Sequence, residues 1–291
     1  MLIKNITNDT LEILAPAKIN LFLQVLNKRP DGFHNVNSLM QAITLFDRIT
    51  FTKTKNPDCT IESVGSNQQI SDNLIGKAFE LIKCRFGLTG GIRVTLEKNI
   101  PIAAGLGGGS SDCAAAIAAL NKLFELHLEK DEMSKLGAEL GSDVPFFFTK
   151  GQALAGGRGE IVTETAFPMD YKIVLISPEL SLSTKEGYAD LKMDLTSHVA
   201  PYNLKKHNEL RDFFEALLET GNDFERVQIG KHPELGVIIE KLANCGAVIC
   251  RMSGSGPTIF GVFSKRIETE RVCANNFAGC HLCTVEPFCL I

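Results

Sequence analysis

A glycine-rich segment near the middle of the chain has the residue types of a phosphate-binding loop. Residues 100–112 read I-P-I-A-A-G-L-G-G-G-S-S-D and run into an alanine-rich stretch, which predicts a helix from about Ser110. Such a helix begins with unpaired N–H groups and a partial positive charge, so we expect a phosphate group at this junction. Four residues without a Cβ would let the anion approach the backbone: Gly105, Gly107, Gly108 and Gly109.

The two serines that follow the glycines leave several roles open. Ser110 and Ser111 could cap the helix, or donate hydroxyls to phosphate oxygens or to a metal. The plainer alternative for the segment is a glycine turn capped by serine. Four glycines in five positions, opening onto a helix, favour phosphate binding.

The loop lacks the signatures of the two common nucleotide folds. A Walker A loop needs a lysine after its last glycine, and Gly109 is followed by Ser110. A dinucleotide fingerprint needs glycine at the sixth position from Gly105, which is also Ser110. A cation that neutralises the phosphates must therefore come from elsewhere in the chain or from Mg²⁺.

A carboxylate and an ammonium elsewhere in the chain could complete a phosphoryl-transfer site. Asp143 lies in G-S-D-V-P beside an apolar run, where it could accept a proton from a substrate hydroxyl or hold Mg²⁺. The alternative for Asp143 is a turn residue after a helix. Lys18 and Asn20 are two residues apart on one predicted strand face. The alternative for Lys18 is a side chain that extends from a sheet edge into water.

A second glycine-serine turn occurs late in the chain. Residues 252–258 read M-S-G-S-G-P-T and precede a predicted strand. The turn Ser253–Gly256 either offers backbone amides to a phosphate or is a tight turn only. The sequence leaves its role open.

Composition limits the classes of protein that the chain can be. With 291 residues and 44% apolar content, the chain can bury a full core and is long enough for two domains. A net charge of −4 provides no basic field for nucleic acid, so a small-molecule partner is expected. We find no export signal and no apolar run long enough to span a membrane, and we expect a cytoplasmic protein. Oligomeric state is not readable from these features.

The nine cysteines are expected to be reduced thiols. Four of them are crowded near the C-terminus, with His281 between two of them: Cys273, Cys280, Cys283 and Cys289. A structural zinc site normally pairs two C-x-x-C knuckles, and one is present, so buried thiols in a terminal helix and strand are favoured over zinc.

The hydrophobic pattern predicts strands and helices in mixed order, which favours an α+β fold. The strongest strand, 11–26, places Ala17, Ile19, Leu21 and Leu23 on one face and Lys18, Asn20, Phe22 and Gln24 on the other. Further strands are predicted at 42–52, 59–63, 91–97, 172–176, 247–250 and 257–263, and helices at 72–86, 131–140, 208–218 and 233–242. Residues 144–148 are predicted as a buried strand or turn. We predict two domains, 1–166 and 167–291.

Four motifs together resemble the GHMP kinase superfamily in order and spacing, over nearly the whole chain. They are P-A-K-I-N-L-F-L at 16–23, P-I-A-A-G-L-G-G-G-S-S-D at 101–112, G-S-D-V-P-F-F at 141–147 and M-S-G-S-G-P-T at 252–258. The resemblance implies an N-terminal domain of the ribosomal S5 domain 2-like type, a ferredoxin-like C-terminal domain and a site between them. It also implies an ATP-dependent small-molecule kinase that uses Mg²⁺, with Asp143 as general base and Lys18 as the cation beside it.

Shorter segments resemble the branch of the superfamily whose substrate carries a cytidine diphosphate group: R-P-D-G-F-H at 29–34, D-N-L-I at 72–75 and N-D-F-E at 222–225. The resemblance implies that Asn73 approaches the adenine and that Asn20, Phe33 and His34 line the cytidine side. Many relatives carry tyrosine where this chain has Phe33, so ring stacking is kept while a phenol hydrogen bond is lost. The residues implied to bind ATP phosphates are Pro101, Ile102, Ala103, Ala104, Gly105, Leu106, Gly107, Gly108, Gly109, Ser110 and Ser111. The metal ligands stay open.

Two competing functions share the phosphate loop. A mevalonate-type or homoserine kinase is one, and the D-G-F-H segment disfavours it because a small substrate without a nucleobase needs no such platform. A non-catalytic nucleotide-binding protein on the same fold is the other. Retention of Lys18, Asp143 and the intact loop disfavours it, since a binding protein could lose any of them.

Overall fold

The computed structural model describes residues 1–64, 73–191, 209–269, 277 and 279–289. Three sequence predictions fall partly on the other residues. Asp72 of the D-N-L-I segment, Asn208 at the predicted start of a helix, and Cys273 lie outside the described residues.

The N-terminal half is built on a seven-stranded sheet. Its central path runs β1-β2-β3-β5-β4, and β6 pairs with β3 and carries β7. Pairing is antiparallel except between β4 and β5. The strands are β1 Leu2–Ile6, β2 Thr10–Lys28, β3 His34–Thr54, β4 Cys59–Val64, β5 Gly91–Glu97, β6 Gln152–Gly156 and β7 Ile161–Glu164.

The long β2–β3 hairpin extends further than the sequence pattern predicted. β3 begins at His34 rather than Ala42. The sequence pattern missed residues 34–41 because polar and apolar residues are mixed there without the alternation of a strand. These polar groups are satisfied by β2: Ser38 Oγ donates to the carbonyl of Phe22 (2.7 Å), and Asn37 Nδ2 donates to Gln24 Oε1 (3.0 Å). Pairing between the strands, which a single-strand pattern cannot reveal, therefore sets the start of β3.

One predicted strand face is partly wrong. Lys18 and Asn20 share a face, as predicted, but Phe22 packs in the same apolar cluster as Ala17 and Ile19. The register between β2 and β3 shifts between Asn20 and Phe22, so the strict alternation of side chains is interrupted there.

The N-terminal half has three helices, α1 Leu74–Phe86, α2 Gly108–Leu123 and α3 Lys130–Leu140; α1 and α2 contact the sheet, and α3 packs on these two helices. α2 begins two residues before the predicted Ser110, with Gly107 as its N-cap in the left-handed region (φ 69°). The capping role considered for Ser110 and Ser111 is therefore wrong, because both lie inside the first turn. Residues Val144–Phe148 form a 3₁₀ helix. They are buried, as predicted, but they do not form a strand.

The C-terminal half has a four-stranded antiparallel sheet in the order β11-β8-β10-β9. Its strands are β8 Tyr171–Pro178, β9 Ile249–Met252, β10 Ile259–Ser264 and β11 Cys280–Val285. The order fourth, first, third, second is that of a ferredoxin-like sheet, as the resemblance implied. The helices are α4 Thr184–Asp190, α5 Leu210–Leu218, α6 Asp223–Lys231 and α7 Pro233–Asn244.

An apolar cluster joins the two halves. Ile19 and Phe22 of β2 belong to the same buried cluster as Tyr171, Ile173 and Phe260 of the C-terminal sheet. The predicted division at 166/167 falls between β7 and β8 and stays a prediction. Because β2 contributes to both cores, polar residues at its middle lie in the cleft between the two sheets.

Two expectations from the composition concerned the cysteines near the C-terminus and membrane-spanning segments. Cys280 and Cys283 lie on β11, and burial raises the pKa of the Cys283 thiol. Among the described residues, no helix is long and apolar enough to cross a membrane.

Candidate active site

The glycine loop and the start of α2 line a cavity of about 310 Å³. Ten of the eleven residues predicted to bind phosphate, 101–110, line it together with Asn73. Ser111 does not: it is buried, and its hydroxyl has no hydrogen-bond partner among the described residues. Asn73 caps α1 by accepting a hydrogen bond from the amide of Ile75 (2.9 Å). An anion in this cavity would meet the free amides of the first turn of α2.

Glycine is required at one position of the loop by its neighbours. Gly105 has φ 78°, and a Cβ there would lie 2.1 Å from the carbonyl oxygen of Ser253. The second glycine-serine turn therefore packs directly against the loop. Ser253 Oγ donates to the carbonyl of Gly105 (2.9 Å), and the amide of Thr258 donates to the carbonyl of Ala104 (3.3 Å). These contacts make the turn a brace for the loop, a role that was not among the two considered for it.

Lys18 and Asp143 form an ion pair beside the loop, although 125 residues separate them. Lys18 Nζ lies 3.3 Å from Asp143 Oδ2, and the two side chains are 4% and 33% exposed. The same ammonium donates to Asn20 Oδ1 (2.6 Å) and to the carbonyl of Gly105 (3.1 Å). Asn20 Nδ2 in turn donates to Ser38 Oγ (2.8 Å). This chain of contacts fixes the ammonium and leaves the carboxylate accessible.

A second cavity, of about 220 Å³, contains the ion pair. Lys18, Asn20 and Asp143 line it, and it shares Ala103, Gly105 and Gly107 with the wall of the larger cavity. A molecule in one cavity can therefore lie next to a molecule in the other, with the ion pair at the contact. This arrangement suits transfer of a group between two bound molecules.

The predicted cytidine residues Phe33 and His34 are not in the lining of this cavity but lie directly beyond it. The ring of His34 stacks on Tyr188 (centroids 5.1 Å apart, planes at 9°), and Tyr188 lines the cavity. Phe33 is 52% exposed, and the guanidinium of Arg158, another lining residue, lies 5.0 Å from its ring centroid. Burial, and to a lesser extent Lys28, lowers the pKa of His34, which favours the neutral imidazole.

Sequence reasoning missed Tyr188 and Arg158. Tyr188 lies on α4, a seven-residue helix without a clear apolar period, so nothing placed its ring near the site. The sequence did carry a signal for the start of this helix: Ser183 caps α4 by accepting a hydrogen bond from the amide of Glu186 (3.3 Å). Arg158 lies in a glycine-rich turn and carries no motif of its own.

A buried group of three charges beneath the loop was also missed. Lys98 Nζ lies 2.5 Å from Asp47 Oδ2 and 2.9 Å from Asp112 Oδ2. Asp47 Oδ1 accepts from the amides of Asn99 (2.7 Å) and Ile100 (2.9 Å) just before the loop. Burial raises the pKa of Asp112 to about 7, although Lys98 opposes the shift. The group ties the end of β3, the loop and α2 together.

Comparison with known families gives the class of protein to which this fold belongs. Residues 73–151 match the GHMP kinases N terminal domain, and residues 202–278 match the GHMP kinases C terminal domain. The chain belongs to the GHMP kinase family. Members of this family use ATP as the phosphate donor.

Within the family, curated relatives have one name in common. A 4-diphosphocytidyl-2-C-methyl-D-erythritol kinase of Geobacillus kaustophilus is 42% identical over 265 residues, 90% of this chain and 91% of the relative. One of Macrococcus caseolyticus is 38% identical over 269 residues, 91% of this chain and 94% of the relative.

Solved structures agree with this similarity. A crystal structure of a 4-(cytidine 5'-diphospho)-2C-methyl-D-erythritol kinase superposes with a TM-score of 0.79 at 29% identity, covering 95% of this chain and 99% of that one. A homoserine kinase from Cytophaga hutchinsonii superposes with a TM-score of 0.74 at 16% identity, covering 99% and 98%. The second comparison establishes the fold alone.

Proposed function

We propose that this chain transfers the γ-phosphoryl group of ATP to the 2-hydroxyl of 4-diphosphocytidyl-2-C-methyl-D-erythritol. The products are the 2-phosphate and ADP, in the non-mevalonate (methylerythritol phosphate) route to isoprenoid precursors. The observation that carries the proposal is the Lys18–Asp143 pair in the smaller cavity, where Lys18 donates to Gly105 of the wall that the two cavities share. The substrate is inferred from the names of the curated relatives, which match nine-tenths of the chain.

In the proposed reaction Asp143 is the general base. Its accessible carboxylate accepts the proton of the substrate hydroxyl as that oxygen bonds to the γ-phosphorus. The bond from the γ-phosphorus to the bridging β–γ oxygen breaks, and that oxygen leaves with ADP. Lys18, held by Asn20 and Gly105, keeps the carboxylate oriented and offsets negative charge at the reacting oxygens.

The larger cavity is the proposed ATP site. The phosphates would lie on the loop amides and the start of α2, with Asn73 and Leu74 toward the adenine. The described residues contain no cluster of three or more His, Cys, Asp or Glu that could hold a metal. Oxygen donors suit Mg²⁺, and the half-buried hydroxyl of Ser110 lies on the first turn of α2. We propose that Mg²⁺ bound with the ATP phosphates would have Ser110 beside it and would offset the negative charge of those phosphates.

The cytidine end of the substrate is assigned to the region of Phe33 and His34. Phe33 offers an exposed ring for stacking, and the neutral imidazole of His34 offers one donor and one acceptor to the base. Asn20 lines the same cavity as Asp143, beside Lys18. The free thiols of the described cysteines suit a reducing compartment, and we propose that the enzyme acts in the cytoplasm.

The test is ADP release by the purified protein with Mg-ATP and three substrates in parallel: 4-diphosphocytidyl-methylerythritol, mevalonate and homoserine. We expect turnover with the cytidyl compound alone. Turnover with mevalonate or homoserine instead would overturn the substrate assignment and keep the family. Tight ATP binding without turnover of any of the three would favour the non-catalytic alternative.

A further inference from the structure

Arg158 occupies the part of the substrate cavity between the ion pair and the exposed aromatic ring. It lies in the turn between β6 and β7 and lines the 220 Å³ cavity. On one side is Gly159, where an added Cβ would lie 3.7 Å from Asp143 Oδ1. On the other side the guanidinium faces the ring of Phe33 at 5.0 Å. Arg158 therefore spans the route from the proposed base to the proposed cytidine platform.

The guanidinium of Arg158 has hydrogen-bonding capacity to spare. Among the described residues, its one hydrogen bond runs from Nη2 to the carbonyl of Ala138 (3.3 Å). Its acidic neighbours are Asp31, which interacts with it electrostatically, and Glu160, whose Oε1 lies 3.7 Å from Arg158 Nε, too far for a hydrogen bond. The side chain is 30% exposed. A guanidinium carries five N–H donors in a planar fork, so most of them can turn to a ligand.

Among the charged residues that line the cavity, Arg158 is the cation with free donors for an anionic ligand. The charged residues in the lining are Lys18, Asp143 and Arg158. The three donors of the Lys18 ammonium face Asn20, Gly105 and Asp143. Arg158 is therefore the lining cation that can meet a dianionic group of the substrate. Its fork matches two phosphate oxygens at once, which a lysine cannot do.

We propose that Arg158 binds the diphosphate of the nucleoside diphosphate substrate. This inference rests on the proposed function, since it assumes cytosine at Phe33 and His34 and the reacting hydroxyl at Asp143. A diphosphate joins those two parts of the substrate, and Arg158 lies between the residues that hold them. Arg158 thus distinguishes a cytidine diphosphate compound from an uncharged nucleoside.

The test compares CDP and cytidine as competitive inhibitors of the wild type, Arg158→Gln and Arg158→Lys. We expect the wild type to bind CDP more tightly than cytidine. Arg158→Gln should weaken CDP by about tenfold or more, as the loss of charge-assisted hydrogen bonds does, and leave cytidine and the KM for ATP within about threefold. Arg158→Lys keeps the charge without the fork and should give an intermediate loss of CDP affinity. Arg211→Gln, on the exposed face of α5, is the matched control and should leave all constants unchanged.

Each failure has a distinct signature. If the ratio of CDP to cytidine affinity is the same in Arg158→Gln and the wild type, Arg158 does not bind the diphosphate. A fall in kcat with that ratio preserved would move Arg158 to the transferred phosphoryl group and overturn the inference. If the wild type binds neither CDP nor cytidine, the proposed substrate itself is wrong and the inference falls with it. Melting temperatures equal to that of the wild type establish that the variants fold. If Arg158→Gln does not fold, the ratio of CDP to cytidine affinity in Arg158→Lys decides the question.

Discussion

The three contacts of the Lys18 ammonium explain why a buried lysine is tolerated at the middle of a strand. Asn20 and the carbonyl of Gly105 accept hydrogen bonds from it, and Asp143 balances its charge. A buried charge without such partners would be strongly unfavourable. The same contacts place the Asp143 carboxylate at the edge of the substrate cavity. Asp143 therefore both balances the charge of the buried Lys18 and serves as the proposed base.

Replacing Asp143 by Asn tests the proposed base. The amide keeps the shape of the side chain but cannot accept the proton, so we expect kcat to fall by about 10²- to 10⁴-fold. The KM for ATP should change little, because Asp143 is not in the lining of the ATP cavity. Steady-state kinetics gives both values, with Asp131→Asn on the exposed start of α3 as control. A kcat close to that of the wild type would remove Asp143 from this role.

The raised pKa of Asp112 predicts a pH-dependent stability. Its folded pKa of about 7 lies above its ordinary value of 3.8, so between these values the folded protein holds a proton that the unfolded chain has released. The stability from this group is complete below about pH 4 and is lost as the pH rises through 7. In Asp112→Asn that loss is absent, and Lys98 keeps its pair with Asp47.

The melting temperature of Asp112→Asn relative to the wild type should therefore increase from pH 5 to pH 8. Thermal unfolding of both proteins in EDTA measures it, and Asp9→Asn, an exposed carboxylate, is the control. A difference in melting temperature that stays constant over this range would show that Asp112 keeps an ordinary carboxylate titration.

At the scale of elements, the phosphate loop is shaped by the turn that packs against it. Gly105 combines a left-handed φ of 78° with a close approach to the backbone of Ser253. Any Cβ there must displace the loop or the turn, and neither is a flexible side chain. The loop therefore connects the two sheets: it follows β5 of the N-terminal sheet and packs against the turn that joins β9 to β10 of the C-terminal sheet.

Gly105→Ala should separate the loop from its brace. We expect the free energy of unfolding to fall by at least about 1 kcal/mol, seen as a lower melting temperature. The KM for ATP should rise several-fold. Gly230→Ala is the control, because Gly230 lies within α6 with nothing within 4 Å of an added Cβ. That control should be neutral or slightly stabilising. Unchanged ATP affinity in Gly105→Ala would mean that loop position does not depend on the turn.

The elements that the sequence predicted are those with a strong local signal. The strand around Lys18 and the glycine loop before α2 carry alternation, glycine and alanine runs that act within a few residues. The first eight residues of β3 and the group of Asp47, Lys98 and Asp112 depend on partners elsewhere in the chain. Lys98 and Asp47, for example, lie 51 residues apart. No local period encodes such contacts, and only the fold reveals them.

At the scale of the whole molecule, the end of the chain returns to the N-terminal sheet. The amide of Phe288 donates to the carbonyl of Ala42 (2.7 Å), and the amide of Thr44 donates to the carbonyl of Glu286 (3.0 Å). The ring of Phe288 meets that of Phe46 edge to face, with centroids 5.2 Å apart. These contacts follow directly after β11, so they tie the C-terminal sheet to β3 in addition to the shared apolar cluster.

Phe288→Ala should weaken this tie. Phe288 is only half-buried, so we expect a loss of about 1–2 kcal/mol in the free energy of unfolding, less than for a fully buried ring. Urea unfolding measures it, and Phe86→Ala, on an exposed ring at the end of α1, should cost clearly less. Equal losses in the two variants would show that the C-terminal contact adds nothing specific to stability.

In the proposed reaction, two cavities deliver ATP and a cytidine diphosphate compound to one carboxylate. The most direct measurement is ³¹P NMR of the reaction of the purified protein with Mg-ATP and 4-diphosphocytidyl-methylerythritol, run beside Asp143→Asn. We predict a new phosphomonoester signal that grows with ADP while the diphosphate of the substrate stays intact, and almost none of it in the variant. ADP accompanied by inorganic phosphate would rule out phosphoryl transfer to the substrate, and a monoester formed equally well by Asp143→Asn would remove Asp143 from the role of general base.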